Sequence, residues 1–203
     1  MKFRKYRSLI FLTAASFFAG LSIGYVKFFL LGHLSEIEKS PADKAWIIQS
    51  VGALITLGPC LTFAIGGPLA SSFRKSSIMF AAASIISLIL AFGASSIWFG
   101  SDWLYVFLAG LGLGIFNAAR NSAVPIEASR ENISTEFVNA CANNLYIVGL
   151  LFGIPLGTEL YLTAPIFGSW LAPALFFCCA LLGLSSRISN EEDHQKITYA
   201  AID

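Results

Sequence analysis

Scanned in a window of about 19 residues, the chain separates into apolar spans joined by short polar stretches. There are six, from 8 to 32, 46 to 70, 77 to 99, 103 to 119, 137 to 160 and 164 to 184. Each is long enough to cross the hydrocarbon core of a bilayer as a helix, so the pattern predicts an all-α integral membrane protein. The first span follows the basic segment MKFRKYR, as a secretory signal would, but its apolar stretch of roughly 20 residues exceeds the usual signal core of about 7 to 15. It is expected to be a retained helix. Residues 1 to 187 then make one six-helix bundle, and 188 to 203 a cytoplasmic polar tail or the start of a central linker, too short to fold alone.

Composition fits a lipid solvent. Hydrophobic residues are 56% of the chain and charged ones 12%, with a mean hydropathy of +0.73, whereas a soluble domain carries about a quarter charged residues. The net charge of +1 matters less than where the charges lie. Lys2, Arg4, Lys5 and Arg7, then Arg74 and Lys75, Arg120 and Arg130, and Arg187 and Lys196 all fall on one side of the predicted membrane. Only Lys39 and Lys44 fall on the other, and Lys27 lies inside the first span. The positive-inside rule therefore puts both termini in the cytoplasm; the membrane itself is expected to be a bacterial inner membrane. On that side the sequon Asn132-Ile133-Ser134 is expected to be silent. Cys60, Cys141, Cys178 and Cys179 sit in apolar segments without metal-ligand spacing and read as packing residues. With His33 and His194 the only histidines, neither a metal site nor a cofactor is expected.

An internal repeat emerges from the glycines. FFAGLSIG at 17 to 24 matches FLAGLGLG at 107 to 114 with an offset of 90, and GGPLA at 66 to 70 parallels GIPLG at 153 to 157 with an offset of 87. Three helices so repeated would form an inverted 3+3 pair, because an odd number makes the second copy enter from the opposite side. Chance alignment of common membrane residues is the competing explanation. Gly20 and Gly24, Gly110 and Gly114, and Gly149, Gly153 and Gly157 are spaced for close helix packing. Pro59, Pro68, Pro155 and Pro173 add weak points that rocking helices use and static bundles also contain.

Gly67, Leu69, Ala70, Arg74 and Lys75 stand in the connection after the second span where the major facilitator signature G-x-L-a-D-r-x-G-r-[RK] has them, with Ser71 in place of its acid. The run GLLFGIPLG, with Gly149, Gly153, Pro155 and Gly157, is similar to that superfamily's Gly/Pro motif in the fifth helix. More narrowly, GLGIFNAARNSAVPIEAS followed by FVNACANNLYIVGLLFGIPLG resembles the lysophospholipid transporter family, most specifically over residues 110 to 157. The first span carries Leu21, Ser22 and Ile23 where that family has an Asp-Asn pair. The resemblance implies the N-terminal half of a major facilitator fold and a secondary transporter moving a lysophospholipid or similar amphiphile by alternating access. Gly67, Leu69, Arg74, Lys75 and the Gly/Pro run would belong to its gating parts. A second six-helix half, from the same gene, a split gene or a second copy, would be its partner alongside membrane lipids; no nucleic acid is implied.

Polar residues inside the apolar pattern mark the candidate site. Asn117, Arg120 and Asn121 are spaced to share one helix face, and a guanidinium flanked by amides can hold a phosphodiester bidentately. Asn139, Asn143 and Tyr146 form a second stripe, on the fifth span. Interfacial anchoring for Arg120, interhelical hydrogen bonding for the asparagines and snorkelling for Lys27 are the alternatives to substrate binding. An enzyme is not expected: neither His33 nor His194 has an Asp at the spacing lysolipid acyltransferases use, and no span holds an acid dyad. The other competing classes are a non-transporting six-helix scaffold or assembly protein and, less favoured, a membrane acyltransferase component.

Overall fold

The computed structural model describes residues 6 to 37, 41 to 96 and 102 to 186, so the tail from 188 onward lies outside the described residues. Six helices follow one another: α1 (Arg7–Ile37), α2 (Pro41–Ser72), α3 (Lys75–Ser96), α4 (Asp102–Glu131), α5 (Thr135–Thr163) and α6 (Pro165–Ser185). Each predicted span coincides with one of them, apart from 97 to 99, which are not among the described residues. Four helices, α1, α3, α5 and α6, are long and apolar enough to cross a membrane. A fifth, α2, qualifies as a pair of segments, Ile48–Thr62 and Ala64–Ser72, bent by 48°, and α4 is not among those that qualify, so at most five of the six expected spans are found among the described residues. Large apolar side chains such as Leu61, Ile65, Leu88, Phe92, Phe152 and Phe167 face outward from the bundle, where water would penalise them and lipid does not. The chain is an all-α integral membrane protein.

The fourth helix departs from the expected boundary. Apolarity falls off after Ala119, but α4 continues to Glu131, so Arg120 and Arg130 lie on a helix and not in a connection. Loss of apolar residues marks where a helix stops favouring hydrocarbon, not where its backbone hydrogen bonds end. Its true stop is at Asn132, which has φ 56° and lets the Ile133 amide reach back to the Ala128 carbonyl at 2.9 Å. An asparagine tolerates that left-handed conformation better than most residues. Ser134 then caps α5, its hydroxyl accepting from the Phe137 amide at 3.2 Å. Asn132 of the sequon thus has a structural use as a helix stop.

The core is built by α1, α3, α4 and α6, which supply nearly all of the two main buried clusters, around Leu12, Met79, Phe116 and Cys179 and around Tyr25, Ile86, Leu113 and Phe176. Helix α5 is clamped onto α1 and α2 onto α4, while α3 packs on α6. The clamps are seams of small residues. A Cβ on Gly20 or Gly24 would collide with the Tyr146 or Leu150 carbonyl, and one on Gly149, Gly153 or Gly157 with the carbonyl of Phe17, Leu21 or Tyr25. The α2–α4 seam is made the same way from Gly58, Thr62 and Gly66 against Gly110 and Gly114. There the Thr62 hydroxyl donates across the helices to the Leu111 carbonyl at 3.0 Å.

One buried polar contact ties α1 to α6. Tyr25 is fully buried and its hydroxyl donates to the Gly168 carbonyl at 2.6 Å. Tyr25→Phe keeps the ring but removes this α1–α6 hydrogen bond, and is expected to cost about 0.5 to 1.5 kcal/mol. A lowered melting temperature in mild detergent checks it; an unchanged one would mean the α1–α6 bond adds nothing to stability. Of the cysteines, only Cys179 is buried, its thiol donating to the Ala15 carbonyl at 3.4 Å; Cys60 and Cys178 are exposed, so the packing role expected of all four does not hold for them.

Candidate anion-binding site

The glycines that seat α4 against α2 end at Gly114, and the polar face begins one turn later. Phe116 is buried, Asn117 is half-buried and Arg120 is 6% exposed. With a 1.5 Å rise per residue, about 18 Å of helix separates Arg120 from the α4 stop at Asn132. Facing it, α5 presents Asn139, Asn143 and Tyr146 at i, i+4 and i+7, positions that fall on one helix face.

The two stripes meet. The Arg120 guanidinium donates from Nε and Nη2 to Asn121 Oδ1 at 3.3 and 3.1 Å, and from Nη2 to Asn143 Oδ1 at 3.2 Å. Its central carbon lies 5.0 Å above the Tyr146 ring, a cation–π arrangement. Asn143 in turn donates from Nδ2 to Asn139 Oδ1 at 3.0 Å, carrying the network outward to Asn139 and Asn121, which are exposed. Two polar atoms on this face of α4 are buried and have no hydrogen-bond partner, Nη1 of Arg120 and, one turn before it, Oδ1 of Asn117. Arg120 has no carboxylate partner among the described residues, whose ion pairs join Arg130 to Glu127 and Glu131. Its contacts are amides and an aromatic face, so the site holds a buried, unbalanced positive charge.

Of the residues singled out from the sequence, Asn117, Arg120, Asn121, Asn139, Asn143 and Tyr146 are brought together. Lys27 is not. It is half-buried on α1, seven residues past Gly20, whose neighbour is Tyr146, and is therefore displaced about 10 Å along the helix axis.

The gating residues separate into two groups. Gly149, Gly153 and Gly157 form the α1 seam, with Pro155 on the exposed face of α5. The residues expected in the connection after the second span lie mostly on helices: Gly67, with open space beside it, and half-buried Leu69 belong to α2, Arg74 in the turn is exposed, and Lys75 opens α3, buried at 2% exposure. Ser71 donates to the Pro68 carbonyl of its own helix at 2.8 Å.

Sequence reasoning missed a second polar group, near the end of α4. Glu127 is fully buried and pairs with Arg130 at 3.3 Å, and Glu131 is 4% exposed. The i, i+3 and i, i+4 spacing of these residues was visible, but only on a helix continuing past Ala119 do they share a face. Comparison with known family models, curated proteins and solved structures returned no match.

Proposed function

We propose that the chain is one half of a secondary transporter of the major facilitator type, which moves a lysophospholipid or similar amphiphile by alternating access in the bacterial inner membrane, both termini cytoplasmic. The observation that carries this reading is the buried guanidinium of Arg120 with no counter-ion among the described residues. An unbalanced charge at helix depth is costly and marks a substrate or ion path by default. An interfacial anchor would point its charge to water, whereas this one is turned inward against α5. An anionic headgroup would balance it, with the acyl chain against the apolar faces beside the site.

The packing pattern supports the inverted repeat. Exchanging α1 with α4, α2 with α5 and α3 with α6 turns the α1–α5 clamp into the α4–α2 clamp and leaves the α3–α6 pair unchanged. Small residues stand at i, i+4 and i+8 in both clamping helices, Gly58, Thr62 and Gly66 in α2 and Gly149, Gly153 and Gly157 in α5. A second six-helix half, such as another copy, would close the remaining wall of the path.

Cells making the chain should take up an externally added lysophospholipid with a fluorescent acyl chain faster than cells with an empty vector. Uptake at background from cells whose membranes contain the protein overturns the transport reading, and leaves the scaffold as its successor if lysolipid still binds.

A further inference from the structure

We propose that the site selects a headgroup with a single net negative charge and hydroxyls, of the phosphoglycerol type, over one that carries an amine. This rests on the reading of Arg120 as a lysolipid phosphate site and concerns what lies beyond the phosphate. Two unpartnered atoms define what the occupant must bring. Arg120 Nη1 is a charged donor and calls for an anionic oxygen, while Asn117 Oδ1, on the same α4 face one turn earlier, is an acceptor and calls for a donor. Hydroxyls and ammonium groups both donate, but their costs here differ. A phosphoethanolamine or phosphocholine headgroup would place a second cation within a few ångströms of Arg120, amid Asn117, Asn121, Asn139 and Asn143, with no acid joined to the cluster among the described residues. Buried ammonium without a carboxylate is penalised by lost hydration and by repulsion from the guanidinium. A hydroxyl needs only one or two hydrogen bonds, which amides supply. A phosphomonoester carries up to two negative charges, and the site has one cation to offer.

The test compares lysophosphatidylglycerol, lysophosphatidylethanolamine and lysophosphatidic acid of one acyl chain as competitors for a fluorescent-chain lysophosphatidylglycerol bound to the purified chain in nanodiscs. Lysophosphatidylglycerol should compete at least about tenfold more strongly than the other two, one factor of ten being about 1.4 kcal/mol. Asn139→Asp, which adds an acid at the exposed end of the network, should narrow or reverse the preference over lysophosphatidylethanolamine. Equal competition by all three, abolished by Arg120→Gln, overturns the selectivity and leaves the phosphate site standing. Strongest competition by lysophosphatidic acid overturns the single-charge argument, and no Arg120-dependent binding of any probe overturns the site itself.

Discussion

Gly153→Leu is expected to leave little folded protein. A side chain there meets the Leu21 carbonyl, the Gly24 carbonyl carbon and the Tyr25 amide, all of them backbone, so no rotamer change can make room. Helices α1 and α5 would have to separate, and the loss would spread along the seam because Gly20, Gly24, Gly149 and Gly157 depend on the same close approach. Overpacking a core costs about 1 to 3 kcal/mol where side chains can yield; here neither wall can, and the cost should exceed about 3 kcal/mol, a large part of ordinary stability. Gly67→Leu is the matched control, since nothing lies within 4 Å of the position a Cβ would take there. Size-exclusion and melting curves in mild detergent should show a monodisperse Gly67→Leu protein and an aggregated or unmelting Gly153→Leu one. A parent-like Gly153→Leu protein would mean that the seam is looser than described.

The existence and order of the helices were legible because apolar length is dictated by the bilayer. The small-residue spacing was legible for the same reason: seams need side chains out of the way, and Gly20, Gly24 and Gly149 announce that whatever the fold. The α4 boundary was not, since Arg120, Asn121 and Pro125 look like a helix end when hydropathy is the only signal. Nor could the sequence tell Arg120 from Lys27. Each is one cation in an apolar run, and only the α5 partner, with Asn143 and Tyr146 at the right height, distinguishes the turned-in guanidinium from the ammonium. The burial of Lys75, Glu127 and Glu131 was hidden for a related reason, as all three were assigned to connections and are covered by the bundle.

Arg120→Gln separates a binding charge from a structural one. A residue kept for stability should weaken the protein when lost, whereas removal of an unbalanced buried cation should leave the lipid-free protein melting no lower than the parent, since glutamine can still hydrogen-bond toward Asn143. Loss of a charged hydrogen-bonded contact to phosphate is worth about 1.5 to 3 kcal/mol, a ten- to hundredfold weaker complex. The decisive measurement is the rise in melting temperature on adding lysophosphatidylglycerol at about a hundred times the parent's Kd. The parent should gain about 2.7 kcal/mol, and a variant binding a hundredfold more weakly only about 0.4 kcal/mol, a shift close to none. If folded Arg120→Gln protein shows the parent's full shift, Arg120 does not hold the headgroup and the α4–α5 cluster is not the lipid site.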